Sequence, residues 1–436
     1  MNTEELNNFH TRGVATIRDL ETADGILASS RKELFGFIFG RDSCITALIL
    51  LDADEEAGTQ QFFPLARKIL LGLSRLQGKA VNIESGEEPG KIIHDYREHG
   101  HELLTVELQP PWYVYPDGTM RNFDSLDSTP LYLMLAARYF RASRDNEGFA
   151  AFEGSVRSAL RWLLDYGDKN RDGFFDYQIS PERKHGGLPV QNWMDHPETL
   201  FHEDGSPVPL PVAPLEVQAY GYAALSAWAE ILEGRDPEFS RVLAQRASAL
   251  KALFNERFPA KAANGEFFLA SAIDGSGRPI VAVRSSMGHV LWAAQKNKDG
   301  VRDCILDGRS VSPVVKRLMR PDLFEKNAGI RTLSTASTHF SSYAYHNGCI
   351  WPHDTSIVAE GFDHFGYHTE ATEVRRALFK AFEHFKTPIE LFVYDNGYRE
   401  FHPPYRDPAC REQAWSAAAM VADSFALMRH RAGRLY

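Results

Sequence analysis

Apolar residues in this chain fall into two helical patterns that alternate, and the alternation constrains the fold more than any single motif. In the first pattern the helix is apolar on every side, which suits a segment buried all round. It covers Ser43 to about Ala53, the LYLMLAARYF run after Pro130, residues 215–231, residues 287–295, the run from Thr355 to about Phe365, and residues 412–428. In the second pattern one face alone is apolar, with its residues three and four apart. It covers 61–77 (Phe62, Leu65, Ile69, Leu70, Leu73), 149–166 (Phe152, Val156, Leu160, Leu163), 237–257 (Val242, Leu243, Leu250, Phe254), 370–386 (Val374, Leu378, Ala381, Phe385) and, more weakly, 310–320. Residues 3–20 supply a sixth helix of this outer kind. Six inner and six outer helices in alternation predict an all-α (α/α)6 barrel that occupies residues 1–436 as one domain.

Each inner helix follows a polar, often aromatic loop: Arg41-Asp42, Asp127, Glu216, Ser285-Ser286, His353-Asp354 and Glu412-Gln413. In such a barrel all six inner N-termini point to one end, so these loops converge where the helix dipoles are positive. The stretch GCIWPHDTSIVAEGF (348–362) packs Trp351, His353 and Asp354 into one turn. Asp354 or Thr355 is expected to cap the helix that follows. A tryptophan ring can stack on the apolar face of a pyranose while polar neighbours bond its hydroxyls. Asp127 or Ser128 is expected to cap the second inner helix, with Pro130 in its first turn.

The formal net charge of -10 argues against nucleic acid as a partner. No apolar run approaches the roughly 18 residues of a membrane span, and the polar start MNTEELNNFH is no signal peptide, so a cytoplasmic protein is expected. The four cysteines (Cys44, Cys304, Cys349, Cys410) form no CxxC pair, which leaves neither a zinc site nor a disulfide framework to expect. Asp168-Lys-Asn-Arg-Asp172-Gly173-Phe-Phe-Asp176 matches the first half of a calcium loop, but Ile179 stands where the bidentate glutamate belongs, so a tight turn is favoured over calcium. His99/His101 and His364/His368 have ligand-like spacing without the acidic or cysteine neighbours of a metal pattern. No metal or cofactor is expected.

A hydrolytic sugar site needs two carboxyl groups, one to protonate the leaving oxygen and one to activate water or attack. Asp195 follows Trp193 and Met194, an apolar wall expected to raise its pKa as a general acid requires. Glu390, in TPIELF on a late loop, is the candidate base. Asp42, Asp127 and Asp354 sit at inner-helix N-termini, which favour ionised carboxylates and hence hydroxyl binding rather than proton donation.

The stretches FGRDS (39–43), GKIIHDYREHGHE (90–102), LDSTPLYL (126–133), NWMDH (192–196), PLEVQAYGYAAL (214–225), YHNGCIWPHDTSIVAEGF (345–362), PIELF (388–392) and CREQAWSAAA (410–419) together resemble the glucosidase domain of glycogen-debranching enzymes, the amylo-α-1,6-glucosidase family. More distantly they resemble glucoamylases and the other six-hairpin glycosidases. The resemblance runs in family order over nearly the whole chain. It implies an (α/α)6 barrel and inverting hydrolysis of a terminal α-linked glucose, with Asp195 as acid and Glu390 as base. It further implies that Arg41 and Asp42 grip the non-reducing sugar, that Trp351, His353 and Asp354 contact substrate, and that Gln413 and Trp415 line the pocket.

Debranching enzymes carry further domains, whereas here the first motif begins at residue 39. That directs the expectation toward a small carbohydrate or glycoside substrate. The insert Pro197–Pro214 after the acid could act as a lid over such a substrate. An inverting pair predicts carboxyls about 6.5–9.5 Å apart. Three rival readings are a sugar isomerase or epimerase on the same barrel, using histidines such as His94, His196 or His353; a hydrolase of another α-glycoside such as an α-mannoside; and a carbohydrate-binding protein without activity.

Overall fold

The computed structural model describes residues 2–143, 145–262, 264–402 and 408–431. Twelve helices carry its architecture. They are α1 (Thr3–Leu20), α2 (Gly40–Ala57), α3 (Phe63–Leu76), α4 (Ser128–Ser143), α5 (Glu153–Asp165), α6 (Leu215–Leu232), α7 (Pro237–Arg257), α8 (Met287–Trp292), α9 (Gly308–Leu318), α10 (Pro352–His364), α11 (His368–Phe385) and α12 (Ala414–Arg431). The even-numbered helices touch in sequence around a closed ring, α2 to α4 to α6 to α8 to α10 to α12 and back to α2. The odd-numbered helices pack outside it, α1 on α12, α3 on α2 and α4, α5 on α4, α7 on α6, α9 on α8 and α11 on α10. This is the (α/α)6 barrel that the alternation predicts.

The two burial patterns follow from the two rings. In α2 every residue from Gly40 to Leu51 is buried, and in α6 every residue from Leu215 to Leu225. In α3 and α5 burial is confined to one stripe, for example Leu65, Ala66, Ile69, Leu70 and Leu73. All four cysteines are buried free thiols.

Several boundaries differ from the sequence expectation, each for a local reason. Helix α10 begins at Pro352, not at Thr355, because proline suits the first helical position and the extended Trp351 precedes it. Neither Asp354 nor Thr355 caps it. Asp354 pairs with His289 in the barrel core (Oδ1 to Nε2, 2.8 Å), and the Thr355 hydroxyl accepts from the Ile330 amide. Helix α2 begins at Gly40 and takes Arg41 and Asp42 into its first turn. Helix α8 stops at Trp292, where the chain turns into the Gln295–Lys296 strand.

Short antiparallel strands brace the loops at the N-terminal end of the inner ring. Ile38–Phe39, Asp95–Arg97 and Met120–Asn122 form one three-stranded sheet with Phe39 opposite Asp95 and Asp95 opposite Asn122. Ile350 and Phe392 exchange amide-to-carbonyl bonds of 3.0 Å each, which ties the chain before α10 to the loop that carries Glu390.

The Asp168–Asp176 loop closes as a tight turn. Asp168 accepts from the amides of Asp172 and Gly173 at 3.1 and 2.9 Å, and Gly173 adopts a φ of +95°. Carboxylate oxygens of Asp168, Asp172 and Asp176 lie within 4.8 Å of one another. The insert after Asp195 is pinned rather than free. His202 pairs with Asp274 at 3.0 Å, Glu203 accepts from Ser337 and Thr338, and Asn347 Nδ2 donates to the Glu198 carbonyl at 2.8 Å.

Candidate active site

The first turn of α2 is set by a close approach. A Cβ on Gly40 would stand 2.1 Å from the Ile93 carbonyl oxygen, so only glycine lets the chain before His94 cross the helix start. Arg41 is thereby buried with its guanidinium between two carboxylates. Nη1 lies 3.2 Å from Asp127 Oδ2 and Nη2 lies 2.6 Å from Asp195 Oδ2. The neighbouring Asp42 accepts a bond from Gln413 Nε2 at 3.3 Å. Glu390 is held on both oxygens, by the Tyr345 hydroxyl at 2.6 Å and the Cys410 amide at 2.8 Å.

These groups face a cavity of about 600 Å³, a size common for small-ligand sites. Of the residues predicted from sequence, Arg41, Asp42, Trp193, Asp195, Trp351, Glu390, Gln413 and Trp415 line it. Asp127, His353 and Asp354 are not among its lining residues. Side chains in one helical turn point about 100° apart, so only some of a turn can face a cavity. Asp127 is buried and spent on Arg41 and the Ser125 hydroxyl. His353 lies beneath Trp415, the rings stacked at 3.7 Å and 12°. Asp354 is turned away onto His289.

Further aromatic rings stiffen the wall. His346 stacks on Trp351 at 4.8 Å, and Trp193 stacks on His289 at 5.4 Å. The indole nitrogens of Trp193 and Trp415, Gln413 Oε1 and Asp95 Oδ1 are buried and have no hydrogen-bond partner among the described residues. Buried polar atoms are seldom left so, and sugar hydroxyls could satisfy those that face the cavity.

The charges oppose one expectation. Burial alone would raise the Asp195 pKa, but the Arg41 guanidinium, with His346 next to it, holds this carboxyl well below the usual carboxylate range. The apolar wall of Trp193 and Met194 is outweighed by one ion pair. Asp42 goes the other way. Burial pushes it up to about 7, against Arg41 and helped by Asp195 and Glu390. Burial holds His94 below the ordinary histidine range and takes His346 down to about 4, so both imidazoles are neutral at pH 7.

Sequence reasoning gave no role to Tyr345, His346, Asp95 or Arg97, all of which line the cavity. Tyr345 and His346 lie inside the YHNGCIWPHD stretch, so the motif contained them, but the Tyr345–Glu390 bond spans 45 residues and exists only through the fold.

Residues 211–416 match the family model of the mannosylglycerate hydrolase MGH1-like glycoside hydrolase domain. That region therefore carries the pattern of a glycoside hydrolase domain. No curated protein matches the chain. Among solved structures, a GH63 mannosylglycerate hydrolase from Thermus thermophilus in complex with glucose is 14% identical with a TM-score of 0.66, over 95% of this chain and 99% of that one. The same enzyme in complex with Tris and D-glycerate is 15% identical with a TM-score of 0.64 over the same shares. A glycosidase variant in complex with glucose is 13% identical with a TM-score of 0.57, over 98% of this chain and 99% of that one. At these identities the likeness is one of fold, and the barrel is common to all of them. Among the described residues no helix is long and apolar enough to cross a membrane.

Proposed function

We propose that this chain is an inverting glycoside hydrolase that releases a terminal α-linked glucose or mannose from a small glycoside. The observation that carries the reading is that Asp195 and Glu390, on loops almost 200 residues apart in sequence, line one cavity with unlike surroundings. Asp195 meets a guanidinium; Glu390 accepts from the Tyr345 hydroxyl and the Cys410 amide. Two carboxyls with distinct environments are what an acid and a base need.

In this mechanism Asp195 protonates the glycosidic oxygen, and Glu390 removes a proton from the water that attacks the opposite face of the anomeric carbon. Tyr345 donates to the carboxylate and fixes its orientation for that step. Arg41 and Asp42 bind hydroxyls of the sugar, Trp351 and Trp415 bound the ring, and Gln413 holds Asp42 in register. The glucoside and the mannoside readings differ at one hydroxyl. The motif resemblance favours glucose, and the matched family and the Thermus neighbour, a mannosylglycerate hydrolase, favour mannose.

Proton NMR of the reaction with matched α-glucosides and α-mannosides tests the reading. Early appearance of the β-anomer of the released sugar supports inversion, and the faster substrate identifies the sugar. Early appearance of the α-anomer overturns the roles of Asp195 and Glu390.

A further inference from the structure

The cavity is sharply divided by exposure and polarity. Its floor is buried and polar: Arg41, Asp42, Asp95, Glu390 and Gln413 are each 7% exposed or less. Its mouth is apolar and open to solvent. Leu103 and Leu108 are 49% and 42% exposed, and Leu34, Phe35, Leu104 and Trp112 are half-buried beside them. This mouth is built, not incidental. The Trp112 amide donates to the Leu104 carbonyl at 3.0 Å, and the indole lies so close to Gly186 that a Cβ there would stand 2.6 Å from Trp112 Cδ1.

The charges around the cavity matter as much. Among the described residues its lining holds two arginines, Arg41 and Arg97, and four carboxyl groups, Asp42, Asp95, Asp195 and Glu390. Both arginines are engaged. Arg41 lies between Asp127 and Asp195, and Arg97 donates Nε to Asp95 at 2.9 Å with its guanidinium 4.3 Å from the Phe37 ring. Of the lining histidines, His94 and His346 are neutral at pH 7, and His196 faces Glu198 at 3.8 Å. Among the described residues an anionic aglycone would meet more carboxyl groups than cations, and burying a carboxylate without a cation is costly. An apolar group would meet leucines, a phenylalanine and a tryptophan, and would release water from them.

We infer that the mouth is the aglycone subsite and takes an uncharged apolar group, an alkyl or aryl substituent on the anomeric oxygen, rather than a small hydroxy acid such as the D-glycerate in the Thermus neighbour. The inference rests on the hydrolytic reading of the floor and adds the class of leaving group to it.

The test compares methyl and hexyl α-glycosides of the sugar preferred in the NMR experiment, whose leaving alcohols have nearly the same acidity. The α-glycosylglycerate and the α-glycosyl fluoride complete the series. The expected result is a kcat/KM for the hexyl glycoside at least about tenfold above the methyl, since each buried methylene is worth about fourfold, and a glycosylglycerate no better than the methyl glycoside. In the Leu104→Ser/Leu108→Ser variant the hexyl-to-methyl ratio should fall to within about threefold of unity; a ratio cancels any change in the shared sugar site. Equal hexyl and methyl values, or a preference for the glycerate, overturn the inference. The fluoride has almost no aglycone and reports on the floor alone, so its failure to react would count against the hydrolytic reading itself. In that event calorimetric binding of the hexyl and methyl glycosides to the wild-type chain still decides the mouth: tighter hexyl binding supports it and equal binding overturns it.

Discussion

Arg41 Nη2 and Asp195 Oδ2 lie 2.6 Å apart, an ion pair that favours the ionised form of the group proposed as proton donor. Asp42 stands next to this pair, and its carboxyl is pushed up to about 7. Below that pH the cluster of Asp42, Asp195 and Arg41 holds one exchangeable proton, and it resides on Asp42. Groups so close titrate as a unit. A substrate that engages Arg41 frees Asp195 to take the proton that the cluster holds.

A pH profile follows from this arrangement. The proton is present below about pH 7 and is lost as the pH rises through the raised Asp42 pKa. The basic limb of kcat/KM is therefore expected near pH 7. In Asp42→Asn that limb should vanish from this region, because the remaining acid, Asp195, is held ionised well below it. A basic limb above pH 9 that Asp42→Asn leaves in place would remove the shared-proton account.

The two carboxyls should separate by substrate. Asp195→Asn is expected to lower kcat on an alkyl glycoside by about 10²–10⁴-fold, the usual contribution of one general acid. It should lower hydrolysis of the glycosyl fluoride far less, since fluoride leaves without a proton. Glu390→Gln removes the base and should suppress both substrates alike. The same loss on both substrates in Asp195→Asn would assign Asp195 to binding.

Tyr345→Phe deletes the hydroxyl that donates to Glu390 at 2.6 Å and leaves the ring packed against Trp351. A hydrogen bond to a charged group is worth about 1.5–3 kcal/mol. A drop in kcat of about 10–100-fold with little change in KM is expected from steady-state kinetics. A change in KM alone would place the hydroxyl on the substrate instead.

Much of this was legible in the sequence, and the parts that were not share a cause. Burial leaves a periodic signature, so the inner and outer rings could be read from runs such as Cys44–Leu51 and stripes such as Leu65–Leu73. Residues singled out in separate short motifs, Asp195, Glu390, Trp351 and Gln413, also line one cavity. Direction within a turn could not. Trp351, His353 and Asp354 are neighbours in sequence, yet one lines the cavity, one supports Trp415 from beneath and one reaches into the barrel core. Charge balance was equally hidden, because the apolar wall beside Asp195 is local while Arg41 arrives from 154 residues away.

His353 gives the last prediction, which distinguishes support from recognition. The imidazole is fully buried, neither ring nitrogen has a hydrogen-bond partner among the described residues, and its ring stacks 3.7 Å from that of Trp415. Burial holds its pKa well below the ordinary histidine value, so it carries no charge at working pH. Its contribution is then the flat surface on which Trp415 rests. His353→Phe keeps a flat ring there and should retain kcat/KM within about threefold, since near-isosteric core swaps cost little. His353→Ala opens a cavity under the indole, with a cost of about 2–5 kcal/mol in stability, and lets Trp415 tilt out of the wall. A lowered thermal midpoint and a raised KM are expected together in that variant. If phenylalanine abolishes activity while the midpoint holds, the imidazole nitrogens take part in the chemistry after all, and the isomerase reading with its proton-shuttling histidine gains what the hydrolase loses.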